Sequence, residues 1–250
     1  MPTPNLDQLH LDAGGHDSRD EGMCLMEAAA WFSGEQHSDR PDCVNPTLAA
    51  FGRSFNDSLS EVDRQRLIPL IPLMMGTAGK EIGPICDDMA MNWMITTCFP
   101  TWFERIGFTE CASNMRELTD VSDKMEEVHA LVSQVTHSDS FREMRPMYTD
   151  YDEHGRYLVT ESWFSVMGGF GSSGSNIMIH GTCNRVARVI SRSIIFSELK
   201  PRPSSRTPND IYRANETKLD ELIKPTTNKL IDSSIELLFK MAKLDKSREA

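Results

Sequence analysis

From Ser18 to Val135, apolar residues return every third or fourth position, and residues that start and stop helices punctuate the returns. This confines that part of the chain to α-helix, because a 3.6-residue period keeps such residues on one face of a helix but scatters them over both faces of a strand. Ser18-Arg19-Asp20-Glu21 has the form of a capping box and predicts a helix over about 19–33, stopped near Gly34. Asn45-Pro46 reads as an N-cap followed by a first-turn proline, with Leu48, Phe51, Phe55 and Leu59 at helical spacing behind it. Ser60 with Asp63 opens a third helix, which Pro69 and Pro72 bend or break before Gly76.

The segment from Ile85 to Ile106 is apolar on most sides and predicts a central buried helix bent at Pro100. Asn114 to Val135 predicts a more exposed amphipathic helix with Met115, Leu118, Val121, Met125, Val128 and Leu131 on its stripe. The pattern changes after His137. Tyr157 to Met167 is aromatic and β-branched enough for a strand or hairpin, Asn176 to Leu199 fits a helix or two short strands, and Pro201 to Pro208 reads as a linker. A last helix is expected over Asn228 to Leu244, with Leu230, Ile231, Ile235, Leu238 and Met241 at helical spacing. The fold expected is mainly α: an irregular helical bundle with a small mixed α/β or loop-rich segment in the C-terminal half. Its parts are a tail over 1–15, a helical body over 16–136, a mixed segment over 137–209 and a C-terminal helix within 210–250 that packs back on the body.

A formal charge of −11 sets up a field that repels phosphate backbones, which argues against nucleic acid and anionic membranes as partners. A local excess of arginine between Arg185 and Arg213 is the exception, read first as a solvated face. The N-terminus has no basic start and no apolar stretch that would direct export, and the richest apolar run, Leu67 to Met75, is far shorter than the ~20 residues that span a bilayer. The six cysteines include no C-x-x-C pair, so reduced thiols and a cytoplasmic location are expected.

Reactive side chains are densest around the first helix: His16, Asp17, Cys24, Glu27, His37, Asp39 and Cys43. His16, Cys24, His37 and Cys43 are the imidazoles and thiolates that zinc prefers, although their spacing is wider than structural zinc sites use. Buried thiols and backbone-bonded histidines are the plainer reading. The same region offers nucleophilic catalysis, with Cys24 as thiolate, His16 or His37 as base, and Asp39 or Glu27 orienting it. Glu27 and Asp39 are also a candidate acid–base pair. Gly169-Phe170-Gly171-Ser172-Ser173-Gly174 matches G-x-G-x-x-G without a βαβ frame, and reads as a turn-rich loop before it reads as a phosphate cradle. His180 and Cys183 are ligands or core.

Gly14-Gly15-His16, Gly22-Met23-Cys24-Leu25-Met26-Glu27-Ala28, Ser33-Gly34-Glu35, His37-Ser38-Asp39, Pro41, Cys43 and Pro46 together resemble a family of uncharacterised small bacterial and bacteriophage proteins. The likeness continues through Arg53, Asn56-Asp57, Pro69, Gly76-Thr77, Trp93 and Pro100-x-Trp102 to about residue 107, under half of the chain. It implies a helical, cytoplasmic protein and carries no activity with it. Two function classes follow: an intracellular helical protein acting through a protein partner, of possible bacteriophage origin, or a metal-binding or cysteine/histidine-dependent enzyme centred on the first helix.

Overall fold

The computed structural model describes residues 5–79, 81–105, 107–136, 138 and 208–244. Within them the chain is mainly helical and contains no strand. The strand expected at 157–167, the glycine cluster, His180, Cys183, the linker over 201–207 and most of the arginine-rich run lie outside the described residues. The described residues belong to two compact units, one formed by those up to 90 with those from 231 onward, the other by those between 91 and 230.

In the first unit a 3₁₀ turn at Leu6–Gln8 precedes α1 (Leu25–Ser33), which starts six residues later than the Ser18 capping box predicts. Ser18 to Glu21 forms only a turn, in which the Glu21 amide donates to the Ser18 carbonyl at 3.2 Å, and Gly22 at φ 140° then takes the backbone out of helical space. The working N3 acid is Glu27, whose carboxylate receives the amide of the N-cap residue Cys24. Gly34, at φ 83°, ends α1 in the left-handed conformation, its amide reaching back to the carbonyls of Ala30 and Trp31.

Next come α2 (Pro46–Ser58), capped by the Asn45 side chain on the Thr47 amide, and α3 (Glu61–Gln65), capped by the Ser60 hydroxyl on the Asp63 amide. Both begin where the capping residues predict. Pro69 and Pro72 split the following stretch into a single 3₁₀ turn, Ile68–Leu70, and the short α4 (Ile71–Met74). α1 packs against α2 and α4. At their meeting point Gly52 brings the α2 backbone close, because a Cβ there would stand 3.2 Å from the methyls of both Met26 and Met74. Leu25, Met26, Leu48, Phe51, Leu67, Leu70, Ile71 and Met74 fill this core, with Leu238 and Met241 buried in the same unit.

The stretch expected as one central buried helix is divided, and its first part is not apolar all round. α5 (Gly83–Trp93) leaves Ile85 about half exposed, at 49%. A π-helical turn, Met94–Cys98, follows and then α6 (Phe99–Arg105), so the bend expected at Pro100 is a widened turn immediately ahead of it. Pro100 has no N–H to give the carbonyl four residues back, and the wider turn lets the Phe99 amide bond the Met94 carbonyl instead. In the second unit, α6 packs on α7 (Thr109–Arg116), which packs on α8 (Met125–Thr136). The single helix expected over 114–135 is interrupted by Asp120, at φ 53°, and a 3₁₀ turn at Val121–Lys124. Met115, Leu118, Val121, Val128 and Leu131 of the expected stripe are buried all the same. The last helix, α9 (Pro208–Ala242), starts well before Asn228 and carries Pro225 within it.

Candidate functional site

The stretch expected to be a tail is built into the first unit by side chains from α2 and α3. Leu11 is fully buried, and the Gln65 side-chain amide takes its N–H at 2.9 Å and gives to its C=O at 2.9 Å, as a neighbouring strand would. Asn56, also fully buried, donates to the Asp12 carbonyl at 2.9 Å and accepts from the Leu25 amide at 3.3 Å. Asp57 accepts the Gly14 amide at 2.8 Å. The Asp12 amide reaches the Met23 carbonyl at 2.8 Å, so residues 12–23 form a loop closed at its base.

Glu27 stands at the centre of that loop, 1% exposed. Its Oε1 accepts the His16 amide at 2.7 Å, and its Oε2 accepts the Cys24 amide at 2.7 Å and the His16 ring Nδ1 at 2.8 Å. An ionised carboxylate only accepts, so the His16 ring donates to it from Nδ1. His37 approaches from the other side, its Nε2 3.7 Å from Glu27 Oε1 and donating to the His16 carbonyl at 2.9 Å. That fixes the second tautomer and leaves His37 Nδ1 buried without a partner. Burial pushes the Glu27 carboxyl up, but the Cys24 and His16 amides and the His16 ring outweigh it and hold the group below the usual glutamate range.

Gly22 completes the arrangement. A Cβ there would lie 2.8 Å from Nε2 and Cδ2 of His16 and 2.8 Å from Asp12 Oδ2, on a backbone at φ 140° that side-chain-bearing residues rarely adopt. The His16 ring therefore needs a glycine at this position.

His16, Glu27 and His37 thus come together, with the Cys24 backbone among them. The thiols go elsewhere. Cys24 is the N-cap of α1 rather than a residue of its second turn, and is 2% exposed. Burial pushes its thiol up to about 12, against a smaller downward pull from the Glu27 and Met26 amides and with the Glu27 charge adding to the rise, so it is a neutral S–H and not the thiolate a nucleophile requires. Cys43 turns to the Ala29 carbonyl at 3.9 Å and to Glu35, and burial raises its thiol too. Asp39 meets Arg53, whose Nη1 donates to the Asp39 carbonyl at 2.9 Å, and is not among the donors and acceptors around Glu27. Among the described residues no group of three or more histidine, cysteine, aspartate or glutamate side chains is arranged to hold a metal ion. The four zinc candidates, His16, Cys24, His37 and Cys43, therefore do not gather as one ligand set: His16 and His37 meet at Glu27, whereas the Cys43 thiol lies against the Ala29 carbonyl.

Sequence reasoning gave no site role to Gly22, Asn56 and Gln65, which hold the loop, or to Arg19 and Trp31, which line a groove beside it. That groove, of about 500 Å³, is bounded by Leu9, His10, Asp12, Asp20, Glu21 and Met23 as well, and the Arg19 guanidinium lies 5.3 Å from the centre of the Trp31 ring. A glycine between a turn and a helix start was the one signal in the sequence that pointed here. Comparison of the chain with family models, curated proteins and solved structures returned no match. Among the described residues no helix is long and apolar enough to cross a membrane.

Proposed function

We propose that this chain is an intracellular, non-enzymatic helical module that acts through a protein partner, and that the groove beside Trp31 is the contacting surface. The observation that carries this reading is the direction in which the polar groups point. Glu27 takes up the His16 amide and ring and the Cys24 amide inside the fold, and His37 donates to the His16 carbonyl, whereas Leu9, Met23 and Trp31 form a concave, partly apolar surface with charged residues around it. A cysteine enzyme would need an accessible thiolate, and Cys24 is neither accessible nor ionised at neutral pH.

The test has two arms. Peptide mapping after alkylation at neutral pH should find Cys43, the least buried of the described cysteines, modified ahead of Cys24, Cys86, Cys98 and Cys111. A photo-crosslinking residue at position 23 should trap one defined protein in cells, and Trp31→Ala should abolish the adduct while leaving the fold intact. Preferential alkylation of Cys24, or a stoichiometric metal ion in the purified protein, would overturn the reading in favour of the cysteine/histidine centre.

A further inference from the structure

We infer that the groove beside Trp31 receives a basic side chain, an arginine or lysine presented by the partner, and that Arg19 occupies that place when the partner is absent. This rests on the protein-binding reading above and names the chemistry of the partner. Two observations carry it. First, a guanidinium already sits against the Trp31 ring, at 5.3 Å, so the ring's face is turned to where a cation can reach it. Arg19 lies in the turn ahead of Gly22, near enough in sequence to hold that place without a partner.

Second, the charge around the groove is complementary to a cation. Asp12, Asp20 and Glu21 line it against Arg19 and His10, and His10 itself lies 3.8 Å from both Asp12 and Glu61. Asp20 and Glu21 are exposed and free to turn toward an incoming cation. The formal charge of −11 on the whole chain adds long-range attraction for a basic partner and repels an acidic one. An anionic ligand would find a single arginine there, already facing an aromatic ring, among three carboxylates.

The experiment uses the full chain labelled with ¹⁵N, the Trp31 indole signal being identified by its loss in Trp31→Phe. Acetyl-Gly-Arg-Gly-amide should shift that signal, and the citrulline tripeptide, which keeps the shape and removes the charge, should bind about two- to fivefold more weakly. Arg19→Ala removes the internal competitor and should strengthen binding of the arginine peptide, while the double variant Asp20→Asn, Glu21→Gln should weaken it and reduce its salt dependence. Equal binding of the citrulline peptide, or weaker binding by Arg19→Ala, overturns the inference. If in addition the crosslinked partner presents no basic residue at the adduct, the cation reading fails while the protein-binding reading stands. If position 23 traps nothing, the broader reading fails with it.

Discussion

Glu27 owes its ionised state to donors that come from opposite ends of a nine-residue stretch, the His16 amide and ring and the Cys24 amide. Glu27→Gln removes the charge and turns one acceptor into an N–H₂ group that faces other N–H groups. Leaving a buried donor unpaired costs about 1–3 kcal/mol, so urea denaturation should show a loss of that size. The pH dependence follows from the same contacts. The folded carboxyl titrates below the unfolded one, so the unfolded chain takes up the proton first as pH falls. The Glu27 contribution is therefore complete above an unfolded glutamate value of about 4.3 and is lost as pH drops through the lower folded value. Glu27→Gln should remove that part of the acid destabilisation, and an unchanged acid limb would contradict the assignment. The sequence showed reactive side chains, His16, Glu27 and His37 among them, concentrated around one helix start, but not which of them meet. It could not show that Cys24 would be buried and Cys43 turned away, since both depend on which face α2 and α4 cover.

Helix starts were legible wherever a capping side chain met the first turn directly. Asn45 and Ser60 each place an oxygen on an amide two or three residues ahead, and α2 and α3 begin there. Asn45→Ala should cost about 1 kcal/mol, read as a lower melting temperature, because the Thr47 amide is buried and has no water to replace the lost acceptor. Ser18 misled because the same letters also make an isolated turn, and the choice between them is made by Gly22 and by the ring of His16 that occupies the place of its missing Cβ. Interruptions inside helical runs were less legible. A periodic stripe reports burial and not continuity, so Asp120 could enter the left-handed region and divide α7 from α8 with Leu118 and Val121 still buried on either side of it. Pro100 announced a distortion, but its missing N–H alone does not choose between a kink and the π turn that Met94–Cys98 forms.

At the scale of the molecule, the mainly helical class was read from period and caps alone, and the described residues have it. What the sequence misjudged was the first stretch of chain, which has too few apolar residues to announce itself and is held instead by the polar side chains of Asn56, Asp57 and Gln65. Those contacts have a consequence for chain continuity. Residues 11–16 are gripped by α2, α3 and Glu27, and residues 24 onward are anchored by α1, so the exposed turn at Asp20 and Glu21 links two independently fastened ends. A protein severed at an engineered protease site between Asp20 and Glu21 should elute as one species in native gel filtration and separate only in denaturant; early release of the short peptide would mean that its amide and carboxylate tethers are weaker than drawn here. The N-terminal segment is in that sense a non-covalent ligand that the chain happens to carry, and a synthetic peptide of the same sequence should restore a truncated protein.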